Sequence, residues 1–268
     1  MLCDFAVHPS LATADIGRAR TWYAERLGLE PLYDLGSLLA YQVGPSVFTV
    51  FETPSAGTAR NTTALWLVDD LPTEMARLRA RGVVFEDLDL GPDERTIDGL
   101  MTGRDPMGGD VLNAWFRDGD GNWIGMVQQH EHAGEPPAQT GIGVALAASD
   151  LVRARAWYAE KLGLEPLHDY GDELVYRQGA THLSIYLTPS AGTAKNTVAV
   201  WRVDDLESEM ATLRARGVAF ADYSNGELET VEGVYTDSDD GTRLAWFADS
   251  ESNVLGIVED HGTVIRPR

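Results

Sequence analysis

The stretch TPSAGTARNT, Thr53 to Thr62, returns as TPSAGTAKNT from Thr188 to Thr197 with a single Arg-to-Lys exchange. Pro, Ser and Gly make it a connector between strands. Apolar alternating runs flank each copy, Ser46–Phe51 and Thr63–Leu71 in the first, His182–Leu187 and Val198–Leu206 in the second. A connector repeated almost letter for letter means that the chain was duplicated. WYAERLGLEP (Trp22–Pro31) is likewise answered by WYAEKLGLEP (Trp157–Pro166), and LRARGV recurs from Leu213, both 135 residues on. By Trp115 and Trp246 the offset has fallen to 131, so the loop RDPMGGD of the first copy is trimmed to DSDDG in the second.

Within a copy the local signals are regular. HPSLATA reads as a short strand, and Asp15 caps the helix IGRARTWYAERL, which Gly28 ends. Ile16, Ala19, Trp22, Tyr23 and Leu27 fall near helical spacing, which assigns Trp22 and Tyr23 to the core. LLAYQVG and SVFTVFE are two strand-like runs separated by Gly44-Pro45. TALWLV is the next strand, and Asp70 caps the helix LPTEMARLRAR, closed by Gly82. Val83–Asp87, Leu100–Gly103 and Val111–Arg117 are weaker strand candidates. Asp118–Asn122 is a tight turn, and Trp123–Gln128 leaves it as a strand. The expectation is an α+β chain of two domains, 5–129 and 141–260, each of two βαβββ modules, joined by the polar Pro-rich linker 130–140.

Composition narrows the function. A net charge of −21 opposes binding to nucleic acid or to an anionic membrane, because phosphates would be repelled. No apolar run approaches the length of a membrane span, and the N-terminus lacks a basic region followed by an apolar segment, so a cytoplasmic location is expected. The one cysteine, Cys3, allows neither an intramolecular disulfide nor a thiolate cluster. His130 and His132 sit in the linker with no other ligand types beside them and read as surface residues.

Asp15, Trp22-Tyr23 and Leu27-Gly28-Leu29-Glu30, copied at Asp150, Trp157-Tyr158 and Leu162-Gly163-Leu164-Glu165, together resemble the vicinal oxygen chelate superfamily of glyoxalases, bleomycin-resistance proteins and extradiol dioxygenases. Val-Asp-Asp-Leu with LRARGV, and the terminal run from Asp118 to Gln128, carry the same resemblance; DSESNVLGIVE (249–259) matches more loosely. It implies a curved, U-shaped sheet around a cleft in each domain, in which metal-dependent members hold an ion through His, Glu or Gln. Carried over position by position, the ligand sites become His8, Thr49, Thr63 and Gly125 in the first copy, and Gly143, Ser184, Val198 and Gly256 in the second. One histidine cannot supply the donors a divalent ion needs. Glu52 and Glu259 point away from that face by strand alternation or lie beyond it. No metal and no cofactor is expected.

Alternation from the same positions proposes the cleft walls: Thr49, Phe51, Thr63, Leu65 and Trp123 in an apolar, aromatic first cleft, and His182, Ser184, Tyr186 and Arg202 as a polar set in the second. Trp66 and Trp201 fall on the opposite parity, towards the helices, while Trp115 and Trp246 compete with a neighbouring Phe for the cleft. The leading expectation is a non-catalytic binder of an aromatic or polycyclic small molecule. The runner-up is a metal-independent isomerase, cyclase or lyase using His8 or His182 as acid/base and Arg202 to steady an anion. A metal-dependent glyoxalase or dioxygenase comes third. The duplicated chain is expected to be a monomer that satisfies a dimer contact internally.

Overall fold

The computed structural model describes residues 2, 5–91, 94–104, 110–128, 141–179, 181–224, 228–238 and 240–259. Cys3, the linker 130–140 with its two histidines, and residues 105–109 of RDPMGGD lie outside the described residues. The chain runs through four modules. The first is β1 (Val7–Thr13), α1 (Ile16–Trp22), β2 (Tyr33–Asp34), β3 (Leu38–Val43) and β4 (Ser46–Glu52). The second is β5 (Thr62–Leu67), α2 (Leu71–Ala80), a small hairpin β6 (Asp89–Gly91) and β7 (Glu94–Arg95), then β8 (Leu100–Arg104), β9 (Asp110–Arg117) and β10 (Trp123–Gln128). The third is β11 (Gly141–Ala148), α3 (Leu151–Trp157), β12 (His168–Asp169), β13 (Glu173–Gln178) and β14 (Thr181–Leu187). The fourth is β15 (Thr197–Arg202), α4 (Leu206–Ala215), β16 (Tyr235–Thr236), β17 (Arg243–Ala248) and β18 (Val254–Glu259).

Each helix begins where the sequence supplies an acceptor for its orphan amides: Asp15, Asp70, Asp150 and Asp205 each accept from the backbone amide three residues on. After Trp22 and Trp157 the helix widens into a π-type turn and stops at Gly28 and Gly163, whose φ of 73° and 72° lie in the left-handed region. Val83–Asp87 is not a strand; only Phe85 bridges to Phe116. The two-residue strands β2, β7, β12 and β16 carry no periodicity for a sequence reading to find.

Among the described residues, eighteen strands form two curled mixed sheets of eight and one two-stranded hairpin. Neither large sheet belongs to one repeat. The first runs β16-β17-β18-β15-β1-β4-β3-β2 and joins the fourth module to the first. The second runs β12-β13-β14-β11-β5-β10-β9-β8 and joins the third to the second. The seams are antiparallel: β1 lies on β15 with His8 opposite Val200, and β11 lies on β5 with Gly143 opposite Leu65.

The hydrophobic cores divide the other way. One gathers Leu11, Tyr23, Tyr41, Phe48, Trp66, Leu78 and Phe116 with neighbours from the first repeat, plus Ile142 from the second. The other gathers Leu146, Tyr158, Tyr176, Ile185, Trp201, Met210 and Phe247 from the second, plus Leu2, Val7 and Ala59. Trp66 and Trp201, at 6% and 0% exposure, therefore take the helix side as their parity predicts. With the cores inside the repeats and the sheets across them, both concave faces form at the junction between repeats.

Candidate functional site

In the first sheet β1, β4, β15, β18 and β17 present His8, Ser10, Thr49, Phe51, Val200, Arg202, Gly256 and Trp246 to the concave face. His8 Nδ1 lies 3.2 Å from the Val47 carbonyl, and the hydroxyls of Ser10 and Thr49 share a 3.0 Å hydrogen bond. Trp246 is the register partner of Gly256. A Cβ on that glycine would stand 3.5 Å from the indole Cδ1 and 3.5 Å from Val200, ordinary contact distances, so the ring packs directly beside the glycine. Tyr223 meets Trp246 edge-on at 5.5 Å and 89°, and Tyr235 lies 6.3 Å away, tilted by 50°. His8, Val200, Gly256 and Trp246 thus form one row across four strands.

The second sheet repeats this plan with other residues. Trp115 is the partner of Gly125, where a Cβ would lie 3.2 Å from the indole Nε1 and 2.9 Å from Leu65 Cδ1. Arg117 stacks on Trp123 at 4.1 Å and pairs with Glu86 at 3.2 Å. A cavity of about 30 Å³ is lined by Leu65, Leu67, Gly143, Val144, Val175, His182 and Ser184. Burial, then the nearby Arg177 and His168, lower the His182 pKa and favour a neutral ring. Tyr186 crosses the face and donates to the Thr62 carbonyl on β5 at 3.3 Å; burial pushes its phenol up to about 12.

The expected sites are consequently regrouped. His8, Thr49, Phe51, Arg202 and Trp246 share the first sheet, and Thr63, Leu65, Trp115, Trp123, His182, Ser184 and Tyr186 share the second. The polar trio of Tyr186, His182 and Arg202 does not converge, because β15, which carries Arg202, pairs with β1 of the other repeat. The Phe rivals of Trp115 and Trp246 are core residues, Phe116 at 0% and Phe247 at 2% exposure, which leaves the cleft to the tryptophans. Register shifts between Trp123 and Ile124 and between Thr197 and Ala199 also break strict alternation. Val198 turns into the second core, and the Thr62 and Thr197 methyls face the glycines instead. Thr63, 1% exposed, donates its hydroxyl to the Trp123 carbonyl.

Glu173 on β13 is the residue that alternation from the ligand positions leaves out. It stands opposite Tyr186 and near Ser184; burial raises its pKa above the usual carboxylate range, the Ser184 hydroxyl opposes this, and Asp172 adds to it. The offset of 135 equates it with Leu38, so the copy itself held the signal.

On the first face the described donors fall short of the set a divalent ion needs. Around the first row the described donors are one imidazole and two hydroxyls, and an indole packs beside the glycine. Among the described residues no three His, Cys, Asp or Glu side chains are placed to share an ion. Glu52 and Glu259 are engaged elsewhere, accepting from the Ile16 and Leu206 amides.

Residues 142–251 match the family model described as Glyoxalase/Bleomycin resistance protein/Dioxygenase superfamily. Glyoxalase I from Zea mays superposes with a TM-score of 0.63 at 15% identity, over 95% of this chain and 92% of that one. A Bacillus subtilis protein assigned provisionally as a dioxygenase superposes with a TM-score of 0.59 at 17% identity, over 97% and 86%. At these identities the likeness concerns the fold. No curated protein sequence matches the chain, and among the described residues no helix is long and apolar enough to cross a membrane.

Proposed function

Since residues 142–251 belong to the Glyoxalase/Bleomycin resistance protein/Dioxygenase superfamily and the first repeat doubles their fold, the chain is a tandem member of that superfamily, and we propose that it binds a small aromatic molecule without a metal and without transforming it. One observation carries this reading: in each concave face a tryptophan lies over a sheet glycine at a position where the family resemblance places a ligand carboxylate. An indole offers a flat apolar wall, and aromatic side chains bury roughly 150–250 Å² each. In the first sheet Tyr223 and Tyr235 extend that wall, while His8, Ser10, Thr49 and Arg202 place hydrogen-bonding groups along it.

Calorimetric titration against planar aromatic natural products tests the proposal. Saturable binding is expected, weakened about tenfold or more by Trp246→Ala. Uniform absence of binding overturns it, as does stoichiometric Ni, Zn, Fe or Mn in the purified protein. One observation favours a second reading, acid–base chemistry in the second sheet: the lowered His182 pKa leaves a neutral imidazole suited to accept a proton. Turnover that survives chelator and fails in His182→Ala would establish that reading in place of the first.

A further inference from the structure

The two concave faces differ most at one place. In the first sheet Leu38 stands opposite Phe51; in the second the equivalent pair is Glu173 opposite Tyr186. Two polar groups thus stand together where the other copy has two apolar ones. An isolated carboxylate moved into such a position loses hydration it cannot recover alone. The Ser184 hydroxyl, on the strand paired with that of Glu173, offsets part of this loss. Tyr186 does not add to this, because its hydroxyl is committed to the Thr62 carbonyl across the sheet, with Asn61 beside it. The phenol passes its parallel neighbour Ala147, whose small side chain leaves it room.

Thr62 is in turn the register partner of Trp123, so Glu173, Tyr186 and Trp123 lie in one band along the same end of the face. The cavity begins beside this band, at Val175 and Ser184, and its volume holds about two waters. Two described cations flank this face. Arg117 covers one side of the Trp123 ring and is paired with Glu86. Arg177 is exposed and lies opposite His182, further along the strands.

We infer that the second concave face is a binding site for a cationic amino-substituted aromatic heterocycle, with Glu173 as the partner of its charged N–H groups. A cationic N–H placed against Glu173 gains a charge-assisted hydrogen bond where a neutral ring gains none. The faces of Tyr186 and Trp123 favour the same charge through their negative π-clouds, and a net charge of −21 concentrates cations around the molecule. The first face, with Leu38 and Phe51 in the same positions and Arg202 in its wall, offers a cation no such partner. This inference rests on the reading that the clefts accept small aromatics.

Proflavine, a cationic diaminoacridine, and acridine, its neutral parent at neutral pH, are the probes. Each is titrated into the wild type, Glu173→Gln and Glu25→Gln, the last removing one exposed carboxylate on the π-type turn after α1. Proflavine is expected to bind about tenfold more tightly than acridine, to lose that margin in Glu173→Gln, and to keep it in Glu25→Gln. If acridine binds and Glu173→Gln leaves proflavine unchanged, or weakens both dyes equally, the assignment of Glu173 falls while the aromatic cleft stands. If neither dye binds the wild type, both fall. Should Glu173→Gln not fold, Glu173→Leu is read in its place, since the first repeat tolerates Leu there.

Discussion

Tyr23 and Asp118 show how single side chains hold each repeat together. The Asp118 carboxylate accepts the backbone amides of Asp120 and Asn122, the Asn122 side-chain amide at 2.8 Å and the Tyr23 hydroxyl at 2.8 Å. Asn122 reaches on to the Ala12 carbonyl at 2.7 Å, so the turn ties the second module to the first. Tyr158, Asp249 and Asn253 repeat the arrangement with Ala147. Tyr23→Phe takes one donor from a buried carboxylate, and denaturant unfolding should show a loss of about 1–3 kcal/mol. His182 gives a pH signature. Its folded pKa is depressed by burial first and then by Arg177 and His168, so the unfolded chain binds its proton more readily. That contribution is present above the ordinary histidine value of about 6.5 and is lost as pH falls through the folded one. Melting temperatures from neutrality down to about pH 5 should therefore fall more steeply in the wild type than in His182→Gln. The Asp118–Asn122 turn was legible in the sequence because its residue types announce it. Glu173 was legible only by setting it against Leu38 of the other copy, since a charged residue at a strand start alone reads as surface.

At the level of elements, the close approach of strands sets what a position can carry. A Cβ on Gly143 would meet the His182 carbonyl at 2.5 Å, and a backbone oxygen cannot swing aside as a side chain can. Gly143→Ala should push β11 from β14 and cost about 1–3 kcal/mol, seen as a lowered melting temperature with the dye titrations of the second face perturbed as well. In the first sheet the equivalent residue is His8, held at the Val47 carbonyl, so that strand pair accommodates what this one cannot. Caps and long alternating strands were legible, from Asp15 through Val254–Glu259, because each has a local chemical cause. The two-residue strands were not, and neither were the register shifts that turn Val198 inward, since both depend on the neighbouring strand.

For the whole molecule, the pairing of modules was beyond the sequence. Modules are nested, first with fourth and second with third, and equal spacing of two copies says nothing about which edges meet. Dividing the chain by repeats would open the β1–β15 and β11–β5 seams; dividing it by sheets would split both cores. Calorimetry should accordingly give one unfolding transition, and two resolved transitions would contradict this. Light scattering should report a monomer, because the edges a lone repeat would expose are already paired within the chain.

The covalent seam has a further consequence. Two identical chains joined through these edges would be bound by two-fold symmetry to present the same cleft twice, and every substitution would alter both. One chain holding both copies is released from that rule. Glu173 and Tyr186 on one face, Leu38 and Phe51 on the other, are the visible result: a broken symmetry that gives the molecule two unlike clefts on a single frame.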